Sequence, residues 1–236
     1  MSFAPALHAE WIKIRTLRSL PAALAAMVVV TAAFSALGAA DADDSDRLFS
    51  AFFGINFGQV AAVAFGTTAV SAEFRGGALR LTLSAVPDRR RWFAAKATAI
   101  ALPALAAGLL TGCVTLLAGR AVLGASAPGW AEGLRGAVGC GLHLTLMALF
   151  AAGLATVLRS GVATLSVLVP FLLIVSFVIG DLSAGVADYL PDRAGQVALH
   201  SSWEGTLGPW SGLAVSALWA AAALLAGGWS LARRDA

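Results

Sequence analysis

The charges of this chain divide it into six uncharged runs, 19–40, 48–72, 97–119, 136–158, 160–180 and 205–232. They are 22, 25, 23, 23, 21 and 28 residues long. About 20 helical residues cross a hydrocarbon core of roughly 30 Å. Each run is therefore long enough to span once, and none is long enough for two passes. Backbone groups in lipid must pair within the segment, which leaves helices or closed barrels. Barrel strands alternate apolar with polar residues, whereas these runs stay apolar. The expected fold is an all-α membrane protein with six transmembrane helices, at about 20–40, 48–72, 97–119, 136–158, 160–180 and 208–231. A soluble domain is excluded on composition, since 59% of residues are apolar and 12% charged, against a usual quarter charged. No repeat and no long linker divides residues 1–236, so they read as a single transmembrane domain.

Orientation follows from Lys and Arg. With the N-terminus inside, twelve of the sixteen fall on the inner side: Lys13, Arg15, Arg18, Arg75, Arg80, Arg89, Arg90, Arg91, Lys96, Arg159, Arg233 and Arg234. The outer side holds four, Arg47, Arg120, Arg135 and Arg193. This bias places both termini in the cytoplasm. Most acidic residues, including Asp41, Asp43, Asp44 and Asp46, fall outside. The net charge of +3 thus reports topology and implies membrane lipid, not nucleic acid, as partner. The first run is too long for a signal peptide, and Glu10 is unusual upstream of one. Cys113 and Cys140 lie inside apolar runs and read as small apolar residues.

Residues 3–18 form a short, basic, amphipathic segment. Leu7, Trp11, Ile14 and Leu17 share one helical face, with His8, Glu10, Lys13 and Arg15 elsewhere on the wheel. An interfacial helix is expected, either a simple anchor or an elbow that positions the first span. Between the second and third runs, Glu73 to Lys96 carries six basic residues. Gly76-Gly77 permits a sharp turn. Ala78 to Ala85 can form a short helix, Pro87 stops it, and Asp88 is an N-cap candidate for the next helix. Arg89 to Arg91 are expected to meet lipid phosphates. Arg159-Ser160-Gly161 reads as a tight inner turn, and Pro191-Asp192 as a helix start in an outer segment that dips into the leaflet.

Inside the spans, ionisable residues are functional candidates. His143 has Cys140 three residues before it on the same face. A metal site needs more ligands than these two, so none is expected. A hydrogen-bonded packing histidine is the plain reading of His143, with a pathway role the alternative. Asn56 and Gln59, with Thr67 on roughly the same face, either join helices or line a polar substrate route. Gly54-x-x-x-Gly58 and Gly108-x-x-x-Gly112 are close-packing patterns. No phosphate-binding G-x-x-x-x-G-K-[ST] occurs, and Lys13 and Lys96 are the only lysines. Neither H-E-x-x-H nor G-x-S-x-G is present. His200-Ser201-Ser202 with Asp188 reads as coincidence. No catalytic residue is assigned, and the chain is not expected to be an enzyme by itself.

Three segments resemble the type-2 permeases of ABC transporters, of the actinobacterial kind. EWIKIRTLRS is similar to that family's opening, E-W-x-K-[IL]-x-[ST]-x-x-S. SAEFRGGALRLTLSAVPDRRRWFAAKA is similar to its element between helices 2 and 3, and YLPDRAGQ to an element before helix 6. Gly77 departs, standing where the family often has Thr. The resemblance implies an exporter built from two permease copies and two cytoplasmic ABC ATPases in a bacterial plasma membrane. This chain would bind no cofactor, with ATP and Mg held by the ATPases. The short helix after Gly77 would be the coupling helix that docks on the ATPase. Glu73, Arg75, Gly76, Arg80, Thr82, Leu83, Pro87, Arg89 and Lys96 match the motif as coupling and architectural positions. An ion-coupled secondary transporter, an intramembrane enzyme and a non-transporting signalling subunit are the rivals. The first predicts inverted repeats and midplane charge, and the second a convergent catalytic set. Neither feature is visible in the sequence.

Overall fold

A computed structural model describes residues 3–40, 46–176, 178–179, 184–202 and 205–233. Among them every regular element is helical and no strand occurs. The acidic residues Asp41, Asp43 and Asp44, the end of the fifth run, and Arg234 lie outside the described residues. The elements are α1 (Phe3–Thr16), α2 (Ser19–Ala40), α3 (Arg47–Phe52), α4 (Ile55–Ser71), α5 (Ala78–Ala85) and α6 (Arg89–Leu123). Then follow α7 (Trp130–Leu158), α8 (Gly161–Pro170), α9 (Ala184–Ala187), α10 (Pro191–Gln196) and α11 (Pro209–Arg233).

Five helices are long and apolar enough to cross a membrane: α2, α4 with its following turn, α6, α7 and α11. The fifth run is an apolar helix over Gly161–Val175, and residues 176, 178 and 179 are helical too. It departs from a regular α-helix at Phe171–Val175, which widen to a π-helix. Pro170 explains this, because proline has no N–H and its ring crowds the carbonyl one turn back. The ladder loses a bond there, and a π-bulge is one way to absorb the change.

The second run also differs, breaking between α3 and α4 at Phe53-Gly54. The Gly54 N–H donates to Ser35 Oγ on α2 at 2.9 Å, away from its own helix. A side chain at Gly54 would collide with the Thr31 carbonyl of α2, and one at Gly58 with the Thr31 hydroxyl. The first small-xxx-small pattern is thus a close helix crossing. The second works the same way: Gly108 and Gly112 on α6 face the backbone of Gly141 and Ala137 on α7.

α7 lies at the centre, packed on α4, α6 and α11. Its buried face is mostly small, with Gly136, Gly139, Ala148, Ala151, Ala152 and Ala155. Large side chains such as Phe52, Phe65 and Leu144 fill the spaces between. The inner turn predicted after α7 is tight. Arg159 takes a left-handed conformation at φ 52°, and Ser160 Oγ accepts from Ala163 N to cap α8.

Apart from a buried contact between α7 and α4, the following long-range polar contacts fall at two ends. At one end Arg89 Nη1 donates to the Leu231 carbonyl at 2.8 Å, and α1 packs on α6. The chain therefore brings α1 and the end of α11 to the same side. At the other end Arg135 Nη2 donates to the His200 carbonyl at 2.7 Å, and Asp46 Oδ2 lies 2.7 Å from His200 Nδ1. The segments assigned inside and outside from Lys and Arg separate in the same way.

α1 corrects one expectation. It buries Ala6, Glu10 and Ile14, while Leu17 lies beyond the helix and is exposed. Glu10, placed on the polar face by the sequence pattern, points inward. The cause is a set of partners on other helices.

Candidate functional site: a buried ion ring under a short helix

The turn after α4 ends in Gly76 and Gly77, at φ 60° and 75°. A Cβ is strained in that left-handed region, so glycine fits both positions. α5 starts directly after them and covers the eight residues predicted. Pro87 follows its last turn, and the Asp88 carboxylate accepts from Arg90 N and Arg91 N, each at 3.1 Å, to cap α6. On the inward side of α5, Leu79 packs with Ala6, Trp92 and Leu231, and half-buried Leu83 joins them. The outward side carries Arg80, Leu81 and Ser84, with Leu81 74% exposed. A leucine so exposed beside arginine gives α5 a mixed apolar and basic surface.

Beneath α5 lies a closed ring of alternating charge. Lys96 Nζ of α6 donates to Glu10 Oε2 of α1 at 2.6 Å and to Glu73 Oε1 at 2.7 Å. Lys13 Nζ donates to Glu10 Oε1 at 2.8 Å and to the same Glu73 oxygen at 2.9 Å. Trp92 Nε1 adds a bond to Glu10 Oε1 at 3.1 Å. The Thr82 hydroxyl of α5 lies 3.4 Å from Glu73 Oε2 and 3.0 Å from the Ala78 carbonyl. Glu10 and Lys96 are only 1% and 2% exposed. Two carboxylates and two ammonium groups cancel, as buried charge must. The ring fastens α1, the end of α4, α5 and α6 to one another.

Lys13 sits at the open edge of the ring. Burial works against its charge, but the Glu10 and Glu73 carboxylates outweigh it and hold the amine above 10.5. Both lysines of the chain belong to this ring, although arginine is seven times commoner overall. The geometry explains the choice. Each ammonium must direct separate donors to two carboxylates, which a compact, rotatable NH₃⁺ does better than a planar fork.

Of the motif positions, the structure brings Glu73, Thr82 and Lys96 together. Leu83 packs beside them, while Arg75 and Pro87 are exposed around the turn. Arg89, expected at lipid phosphates, is half-buried and bonds the last turn of α11. There its charge meets the negative end of that helix dipole. Glu10, Lys13 and Trp92 were not singled out as site residues. A lone acidic residue in a basic segment, paired with the scarcity of lysine, was the available signal.

The four intramembrane candidates do not line one route. His143 Nε2 lies 3.2 Å from Gln59 Oε1, both side chains being buried between α7 and α4. Gln59 Oε1 can only accept, so the proton sits on Nε2. Nδ1 faces Gly195 of α10. Thr67 is buried, and its hydroxyl has no hydrogen-bond partner. Asn56 borders a cavity that the other three do not line, and its Nδ2 donates to the Phe53 carbonyl. Among the described residues no group of three metal-ligating side chains converges.

That cavity, about 470 Å³, lies at the end opposite the ring. Phe49, Phe53 and Phe57 form one part of its wall, and Asp188, Asp192 and Arg193 another. Close by, Asp46 caps α3 by accepting from Phe49 N and also accepts from Ser201 N. Partial burial opposes its charge, but these bonds and His200 hold the carboxyl below 3.8. His200 thus pairs with Asp46, not with Asp188. In comparisons with known proteins, no family model and no curated protein matches the chain.

Proposed function

We propose that this chain is the membrane-spanning permease subunit of an ATP-driven ABC exporter. Two copies would work with two cytoplasmic ATPases in a bacterial plasma membrane, with both termini inside. α8, its π turn and the residues after them would complete a sixth crossing, and α1 would serve as the elbow. One observation carries the reading. α5 is anchored on its inner side to a buried ion ring and presents Leu81 and Arg80 outward on the end assigned to the cytoplasm. A helix built this way suits transmission of force. A push on α5 reaches Glu73 through Thr82, and from there α6 and α1 through Lys96 and Lys13. ATP and Mg would stay on the ATPases, since this chain carries no phosphate loop.

The test is reconstitution with the separately encoded ATPase. Arg80→Glu with Leu81→Asp should abolish permease-dependent ATP hydrolysis while the permease still folds and inserts, as read by a cooperative thermal melt, since both side chains are exposed. Unchanged hydrolysis, or transport by the permease alone, sinks the reading. An ion-coupled secondary transporter is the second reading, favoured by the buried carboxylate Asp192 at the cavity. It predicts transport that persists without ATPase and collapses with an ionophore.

A further inference from the structure

We infer that the cavity between α3–α4 and α10 binds an amphipathic organic cation, with the Asp192 carboxylate as counter-ion and the Phe49–Phe53–Phe57 cluster as apolar wall. As a binding site it stands alone. As a statement of substrate class it rests on the exporter reading.

The volume, about 470 Å³, falls in the range of drug-sized ligand sites. Asp192 is 3% exposed, and its Oδ1 has no hydrogen-bond partner. A buried carboxylate oxygen without a donor is costly unless a partner arrives. The two positively chargeable groups on the wall are turned to acceptors of the protein itself. Arg193 Nε donates to the Ser176 carbonyl at 3.1 Å, and His200 Nδ1 lies against Asp46. Asp188 borders the same space, so two carboxylates face one guanidinium there, and the wall is acidic on balance. Burial pushes the Asp192 carboxyl above 3.8, with Ser176 and Arg193 opposing that shift only in part.

The aromatic wall fixes the rest of the ligand's chemistry. Phe53 meets Phe49 and Phe57 edge-on, with centroids 6.3 and 6.1 Å apart. One face of Phe49 stacks on His200 and one of Phe57 on Phe34, so the cluster offers a ligand its remaining apolar surface, and such a wall beside a carboxylate suits a cation that carries apolar groups. A metal ion would leave the aromatic wall without function, and an anion would meet two carboxylates.

The test uses the purified full chain in lipid nanodiscs, with radiolabelled tetraphenylphosphonium and empty nanodiscs to subtract partition. Tetraphenylborate, of the same shape and opposite charge, is the control. The expected result is saturable tetraphenylphosphonium binding with no saturable tetraphenylborate binding. Asp192→Asn should weaken binding about tenfold, the worth of one modest charge contact. Phe57→Leu should weaken it several-fold. Equal binding by Asp192→Asn, saturable binding of the borate, or the absence of saturable phosphonium binding overturns the inference. If Asp192→Asn does not fold, Asp188→Asn and Phe57→Leu decide it, and unchanged binding in both has the same force. None of these measurements involves an ATPase, so failure here leaves the exporter reading standing, and failure of coupling leaves the site standing.

Discussion

Replacing Lys96 by methionine should be among the most damaging single changes in the chain. Its ammonium lies 2.6 Å from Glu10 and 2.7 Å from Glu73. At an effective dielectric constant of 20, each contact is worth about 6 kcal/mol of Coulomb attraction. Dehydrating the ions costs several kcal/mol each, and Glu10 repels Glu73, so the intact ring contributes little net stability. Breaking it is another matter. Methionine fills the space of the lysine stem but leaves two buried carboxylates facing Lys13 alone, and Glu10 Oε2 loses its ammonium. Removing one partner from a buried ion pair costs about 3–5 kcal/mol. For a chain of this length that corresponds to a fall in melting temperature of about 10 °C.

The assay is thermal unfolding of the detergent-solubilised protein, followed by tryptophan emission, since Trp92 bonds the ring directly. Two further variants separate ring electrostatics from lost packing. Lys96→Met with Glu10→Gln restores charge balance and should recover at least about 1 kcal/mol, a normal coupling for groups in contact. Lys13→Met removes a half-exposed partner from carboxylates that each keep Lys96, and should cost clearly less than Lys96→Met. A Lys96→Met protein melting within about 1 °C of the parent refutes the reasoning. So does a double variant no more stable than the single one.

Gly58→Ala should destabilise by about 1–3 kcal/mol, the usual result of overpacking, because its Cβ collides with a Thr31 hydroxyl fixed to the Met27 carbonyl at 2.6 Å. Gly228→Ala is the matched control: its Cβ meets only the Phe93 ring at 3.4 Å, and the same melt should move little. Asp46→Asn should cost about 1 kcal/mol at neutral pH, not through the cap, which asparagine makes as well, but because the contacts to Ser201 N and His200 Nδ1 lose a charged acceptor. Because the folded carboxyl lies below 3.8, its stabilisation is full above that value and disappears as pH falls through the folded one. Parent and variant melts should therefore converge in acid; a constant gap from neutral pH into acid contradicts the assignment.

The sequence revealed whatever local chemistry or the bilayer enforces. Charges are expensive in hydrocarbon, so the uncharged runs located the long helices. Gly77 and Pro87 punctuate the backbone by their own geometry, so both bounds of α5 were legible. Asp88 announced its cap for the same reason. Tertiary partners are what the sequence hid. Glu10 belongs on the solvated face by any helical wheel; it turns inward for Lys96, 86 residues away. The break at Gly54 depends on Ser35 across a helix crossing. Gln59 and Asn56 sit one turn apart, yet one meets His143 and the other borders the cavity. Residue type placed these side chains in a short class of candidates, and only packing decided among them.

The ring also explains why the loop between α4 and α6 needs both its stiff and its permissive parts. Glu73 is held by two ammonium groups, and α6 begins on a capped turn, so both ends of the loop are fixed. Between them, Gly76 and Gly77 carry positive φ with nothing within 4 Å of a would-be Cβ. Their cost is conformational, not packing, and the space around them is open. α5 is therefore a short rigid helix between fixed ends, with its freedom concentrated in two glycines at its start. A load on Leu81 or Arg80 cannot be absorbed within α5; it must bend the glycine turn or strain the Thr82–Glu73 contact. Lys96 connects that contact to α6, a helix of 35 residues with Pro103 inside it, about 50 Å long at 1.5 Å per residue, so a load passed to Lys96 enters an element that reaches the opposite end. Its far end packs on α3, which carries Phe49 at the cavity wall.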